Sequence, residues 1–449
     1  MTDPSAAVAA DADRLRSDLE RLVRVPSIAF DGYPAEPNLA GAELTAELLR
    51  EAGVEDVRLV EVPGAPPTVL ARVPAPPGAP TVMLYAHYDV QPPGPEDAWT
   101  SSAWEPEVRG GRLYGRGAAD DKSGIAMHLG ALRAFGGRPP VGVTVVIEGD
   151  EETGRGTFAT WAREHAGELA ADVVVVADGG NWQLGEPTLI ASLRGICECF
   201  VEVRTLAAPA HSGLVGGAAP DAMLTLIRVL DSLVDEHGDV AVAGLRRFGW
   251  EGLEMPEAAL RSTAGVLDGV PLVGTGPIAD RLYTRPAVTV VGLDATPVAS
   301  APNAVVPVAR AKVSVRLAPG ENPDHAYELV SAHLRAAAPW GIEVQVSPGA
   351  GAPGWLLEDG GPALAAARGA LADAYGKEAV TVGTGGAIPL VTVLADLLPE
   401  ADIVLWGAQD DGARIHAGDE SVDLAELQRA TTAEALLLAR LGAAAGGPA

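Results

Sequence analysis

Histidines and carboxylates recur in this chain just past apolar runs. LYAHYDV places His87 and Asp89 after one such run, and GRGAADDKSG places Asp120 and Asp121 ahead of a helical pattern. VIEGDEETG carries Glu148, Asp150, Glu151 and Glu152; VVVVADGGN carries Asp178, and ARIHAGDE carries His416. Carboxylates gathered in a partly dry cleft repel one another unless cations neutralise them. Imidazole together with carboxylate is a zinc-type donor set. Two divalent ions about 3.5–4 Å apart can hold one water, lower its pKa and polarise a carbonyl oxygen. A carboxylate not used as a ligand can then take the proton of that water. Adjacent Glu151 and Glu152 can divide those two tasks if their side chains face different ways. Taken singly, each motif also has an ordinary use. An H-x-D pair can close a turn, an Asp pair can cap a helix, an exposed Glu pair is simply solvated, and Asp before Gly-Gly is a turn residue. What points to one di-metal constellation is that all of them sit at the ends of expected elements.

Those elements can be read from periodicity. Helical spacing covers 12–24 and 39–52, and extended patterns cover 57–62, 68–73 and 81–86. A helix is expected over 120–135, a buried strand over 141–148, a helix over 156–165 and a buried strand over 171–177. All-apolar strands alternating with helices predict an α/β fold, a mainly parallel sheet with helices on both faces. In such sheets ligands sit beyond the carboxyl ends of the strands, where these motifs fall. After Leu193 the texture changes to alternating strands such as CECFVEVRT, 286–291 and 309–317, with helices at 220–234 and 325–338. That is the pattern of a smaller α+β domain. Residues 241–285 read as an insertion of loops and short helices. Helix–strand alternation returns after Pro362. The expected organisation is a catalytic domain in two parts, 1–193 and 348–449, interrupted by a second domain at 194–347.

Composition narrows the partners. The chain has 449 residues, with 32 Lys plus Arg against 60 Asp plus Glu, a net charge of −28. Phosphate backbones and anionic lipid repel such a chain, so nucleic acid and membrane surfaces are excluded as partners. Two cysteines, Cys197 and Cys199, are too few for a disulfide scaffold and read as small hydrophobes on one strand face. The first residues lack a basic start followed by an apolar core, and no apolar run approaches the ~18 residues of a membrane span, so a soluble cytoplasmic protein is expected.

YAHYDVQP, LYGRGAADDKSG, EGDEETGRG, VVADGG and IHAGDE, in this order, resemble the di-zinc peptidase and deacylase family that includes aminoacylase, acetylornithine deacetylase and the carnosine dipeptidases. PAHSGLVGGAAPDAM and ARAKVSVRLAPGENP resemble its carnosinase-like dipeptidase branch. The likeness spans about residues 12–441 and implies a zinc-peptidase-like catalytic domain with a lid domain that mediates dimerisation. It implies that His87, Asp120, Glu152, Asp178 and His416 ligate two metal ions, zinc foremost, with manganese or cobalt as alternatives. Asp120 would bridge the ions, with a cis bond to Asp121, and Asp89 would orient His87. Glu151 would be the general base. His211 would reach a partner subunit's active site and stabilise the oxyanion. Arg316 would bind the substrate's terminal carboxylate, helped by the backbone of Gly385 and Gly386, with Asn303 as a further contact.

Four positions depart from the branch pattern: Thr384 and Ala387 flank the glycine pair, Ala304 replaces a threonine, and Asp419 precedes Glu420 in HAGDE. None is an expected metal ligand; they bear on the leaving-group side of the pocket. The implied activity is metal-dependent hydrolysis of dipeptides or short peptides with a free C-terminal carboxylate, by a homodimer. The alternatives are carboxypeptidase trimming, an N-acyl amino-acid deacylase with the same metal core, and a non-catalytic peptide or metal binder. A dinucleotide fold is disfavoured because GRGAAD lacks the third glycine of that fingerprint.

Overall fold

The computed structural model describes residues 3–357, 360–386 and 388–445. The chain folds as two compact units. One comprises Met1–Ala191, Leu357–Val382 and Pro389–Ala449; the other comprises Ser192–Leu356 and Gly383–Ile388.

The first unit is built on a sheet whose strands run in the order Asp56–Val60, Thr68–Val73, Gly142–Glu148, Thr81–His87, Val173–Val176, Asp402–Leu405, Thr188–Leu193. Its four central strands, from Gly142–Glu148 to Asp402–Leu405, are parallel. They are mostly apolar and buried along their length because both of their faces are covered. The flanking pairs are antiparallel. The sheet is therefore mixed, parallel where the motifs lie and antiparallel at the margins. The reason lies partly in chain length: the short connection 61–67 can return the chain only antiparallel, whereas a parallel neighbour needs a crossover of a dozen residues or more.

Helices Ala12–Val23, Glu36–Glu51, Lys122–Arg133, Pro362–Tyr375 and Leu424–Ala445 bury their apolar stripes against this sheet and one another. In Ala12–Val23 the buried positions include Leu15, Leu19, Leu22 and Val23, at the helical spacing read from sequence. The buried Lys122 side chain donates to the Leu22 (3.0 Å) and Val25 (2.7 Å) carbonyls at the C-terminal end of that helix. The helix expected from residue 120 starts at Lys122, because 115–121 is an irregular loop.

The second unit holds an antiparallel sheet ordered Ala287–Asp294, Val308–Leu317, Gly195–Arg204, Val344–Ala352. Cys197, Cys199, Val201 and Val203 face helices Ala222–Asp231 and Pro323–Ala336. Both cysteines are free and buried, and burial pushes their thiols up to about 11 and about 12, so they pack as hydrophobes. The insertion contains one short helix, Glu257–Ala264, and a helical turn at Asp280–Thr284. Among the described residues no helix is long and apolar enough to cross a membrane.

Candidate metal centre

Register sets the geometry of the centre. His87 lies opposite Glu148, and Tyr85 opposite Val176, so three parallel strands end together. The residues that follow them, Asp89, Glu151, Glu152 and Asp178, share that carboxyl edge. Two triads form there: His87 with Glu151 and Asp178, and Asp120 with Glu152 and His416. Within each, the donor atoms lie within 4.8 Å of one another. Asp120 touches both triads. Its Oδ1 is 3.1 Å from His87 Nε2 and its Oδ2 is 3.0 Å from His416 Nε2. His416 Nε2 is also 3.2 Å from a Glu152 oxygen.

His87 Nδ1 faces acceptors, the Asp89 carbonyl at 3.0 Å and an Asp89 carboxylate oxygen at 3.4 Å. Hydrogen on that nitrogen leaves Nε2, which faces Asp120, as the nitrogen that a cation between them would take. The Asp89 carboxylate has a second task that spacing did not suggest. It accepts the Glu151 and Glu152 backbone N–H groups at 3.2 and 3.1 Å, and so holds the Glu-Glu turn. The neighbouring acids are occupied otherwise. Glu148 accepts the Tyr85 hydroxyl at 2.8 Å, and Asp150 accepts the Thr153 hydroxyl at 2.7 Å. The Asp120–Asp121 peptide is cis. Asp121 makes no side-chain cap to helix Lys122–Arg133, so the ordinary use of an Asp pair is absent here.

Electrostatics distinguishes these carboxylates from a solvated acidic face. Two charges 4 Å apart interact by about 4 kcal/mol at an effective dielectric near 20. That is a large share of the ~5–15 kcal/mol that holds a domain folded. Burial first, then the Asp120 charge, pushes Asp178 up to about 7. Burial and the Asp178 and Glu152 charges hold Glu151 well above the usual carboxylate range. Hydrogen bonds to Asp120 and Glu152 lift His416 to about 10. Burial would lower His87, but its contacts with Asp120 and Asp89 prevail and raise it. The chemistry of the donor set, two imidazoles and four carboxylates in two triads, fits a pair of divalent cations.

Two glutamines complete the surroundings. Gln91 Nε2 donates to a Glu152 carboxylate oxygen at 2.9 Å, and Gln409 Nε2 reaches Asp178 at 3.4 Å. Gln91 lies in the YAHYDVQP motif and could have been suspected from it; no spacing marks Gln409. His416, Arg414 and Asp419 all have positive φ, an unusual concentration of left-handed residues in one loop. Asp419 accepts the Thr100 backbone N–H at 2.8 Å, so its place in HAGDE anchors that loop.

The remaining sequence-derived residues belong to the second unit. His211 pairs in register with Ala304, and Ser212 N–H donates to the Asn303 carbonyl at 3.0 Å, so His211 and Asn303 lie side by side. His211 Nδ1 accepts the Gly213 N–H at 3.1 Å, which leaves hydrogen on Nε2 when the ring is neutral. Arg316 lies on strand Val308–Leu317 opposite Ile196, with no carboxylate partner among the described residues. Gly385 and Gly386 are exposed, in a turn where Gly386 N–H donates to the Thr384 hydroxyl at 3.3 Å. Ala387 lies outside the described residues.

Comparison with known proteins agrees with this geometry. A cysteinylglycine-S-conjugate dipeptidase of Corynebacterium striatum is 39% identical over 438 residues, covering 96% of each chain. A β-Ala-His dipeptidase of Rattus norvegicus is 26% identical, covering 80% of this chain and 76% of its own. The solved structure of the dipeptidase Dug1p of Saccharomyces cerevisiae superimposes with a TM-score of 0.81 at 22% identity over 98% of each chain, which shows the shared fold. Residues 83–440 match a single family throughout. That span, with so similar a relative along nearly the whole length, makes the chain a member of peptidase family M20/M25/M40 and a metal-dependent peptidase.

Proposed function

We propose that the protein is a dipeptidase that cleaves substrates bearing a free C-terminal carboxylate, with cysteinylglycine S-conjugates as first candidates. The observation that carries the reading is the pair of donor triads at the carboxyl edge of the sheet, with Asp120 of one triad reaching His87 of the other. Asp120, Glu152 and His416 would hold one ion, and His87, Asp178 and the bridging Asp120 the other, zinc in preference to manganese or cobalt. When bound, the ions supply an acidified water and a Lewis acid for the scissile carbonyl. Glu151 takes the proton of the attacking water and returns it to the leaving amine. Asp89 keeps His87 in the required tautomer and fixes the Glu151 backbone.

Arg316, a guanidinium without an acidic partner among the described residues, would bind the substrate carboxylate, with Gly385, Gly386 and Asn303 alongside. His211 would donate Nε2–H to the developing oxyanion across a homodimer of lid domains. We read the site of action as the cytoplasm, where both buried thiols remain reduced.

A substrate panel tests the function. Dipeptides should be hydrolysed at least tenfold more efficiently, by kcat/KM, than their C-terminal amides or N-acetyl amino acids. Preference for the N-acetyl compounds would make the protein a deacylase instead. Subunit mixing tests His211. Inactive His211→Ala and Glu151→Gln chains, combined and allowed to exchange, should recover measurable activity. Mixtures inactive at every ratio would remove the in-trans role.

A further inference from the structure

Glu420 has the most completely bonded carboxylate near the centre, yet it is neither a ligand nor the base. The residue is fully buried. Its Oε1 accepts the backbone N–H groups of Ala119 and Asp120, each at 3.0 Å. Its Oε2 accepts the Gly117 N–H at 3.0 Å and Arg116 Nη1 at 2.6 Å. Its own carbonyl accepts the Gly115 N–H at 3.0 Å. Loop 115–121 is irregular, so these N–H groups have no helix or ladder to pair with, and burying them unpaired would be costly. Glu420 supplies the missing acceptors. An ionised carboxylate offers about four acceptor positions and no donor, which matches four converging donors; a glutamine would set an NH₂ group against them.

The same residue is tied to His416. It follows that ligand by one tight turn and immediately precedes strand Ser421–Asp423, which pairs with Arg112–Tyr114. Arg116 extends the connection, donating to the Ala417 carbonyl at 3.1 Å and the Pro92 carbonyl at 3.4 Å. One buried ion pair thus joins the loop that carries Asp120 to the loop that carries His416. Glu151, Asp178 and the His87 ring make no direct contact with Glu420 or Arg116 among the described residues.

We propose that Glu420 is a positioning residue that holds the His416 loop against the Asp120 loop and thereby governs occupancy of the Asp120–Glu152–His416 site more strongly than that of the His87–Asp178 site. This rests on the di-metal reading above and adds to it an asymmetry between the two sites.

The test is a calorimetric zinc titration of metal-free chains. Wild type should bind two equivalents. Glu420→Gln should keep one equivalent within about threefold of wild type and weaken the other by about 10–100-fold, the usual scale for residues that orient ligands. Arg116→Lys, which keeps a cation beside Glu420 but loses the carbonyl bonds, should weaken the same equivalent to a smaller extent. A purely structural role would lower melting temperature and weaken both sites together, and that result would overturn the proposal. So would a folded Glu420→Gln chain that binds both ions as wild type does. If Glu420→Gln does not fold, Glu420→Asp, too short to reach all four donors, carries the test with the same outcomes. Wild type binding fewer than two ions would instead refute the di-metal reading itself.

Discussion

Glu151→Gln is expected to retain both metal ions and to hydrolyse dipeptides about 10³-fold more slowly, within the ~10²–10⁴-fold range of a positioned general base. The substitution keeps the side chain's size and removes its ability to take a proton. The result is informative because geometry alone groups Glu151 with His87 and Asp178 as a potential ligand. A base must lie beside the ions whose water it deprotonates, so proximity suits either role, and metal content separates them. If Glu151→Gln lost one equivalent of metal along with its activity, Glu151 would be a ligand. If turnover stayed near wild type, another group would be the base.

Asp120→Ala should have the broader effect. Both imidazoles converge on this carboxylate, His87 at 3.1 Å and His416 at 3.0 Å, one on each oxygen. Without it one triad loses a member and the other loses the carboxylate that faces the His87 ring. Both metal affinities should fall by more than the ~10–100-fold typical of residues outside the coordination sphere, and hydrolysis should fall to background. Circular dichroism should still report a folded chain, because the change removes a buried loop carboxylate and leaves the hydrophobic core intact. Elemental analysis after dialysis measures the metal directly. Retention of two ions per chain would contradict the bridging role.

The parts of this centre legible in the sequence were those tied to local pattern. Val141–Glu148 and Thr81–Ala86 read as buried strands because both faces are apolar, and the acids that follow them could be assigned to one edge. The cysteines were legible through a different local pattern, the alternation along Gly195–Arg204 that buries one face only. The antiparallel margins were not, since strand direction depends on which neighbour the chain returns to. Nor were the contacts that bring distant segments together. Gln409 meets Asp178 from 231 positions away, and Glu420 meets Asp120 from 300. Such pairs leave no periodicity, and each residue read alone is an ordinary polar loop residue. Glu148 and Asp150 show the converse. They resembled Glu151 and Glu152 in the sequence, but the Tyr85 and Thr153 hydroxyls engage them in the fold.

The central claim is that this crowd of carboxylates is held together by two cations. Anomalous X-ray scattering from crystals of the active enzyme grown with zinc tests it most directly. Two peaks per chain are expected, one beside His87 and Asp178 and the other beside Glu152 and His416, with Asp120 between them. Active crystals showing no metal there, or a single ion elsewhere, would contradict the account.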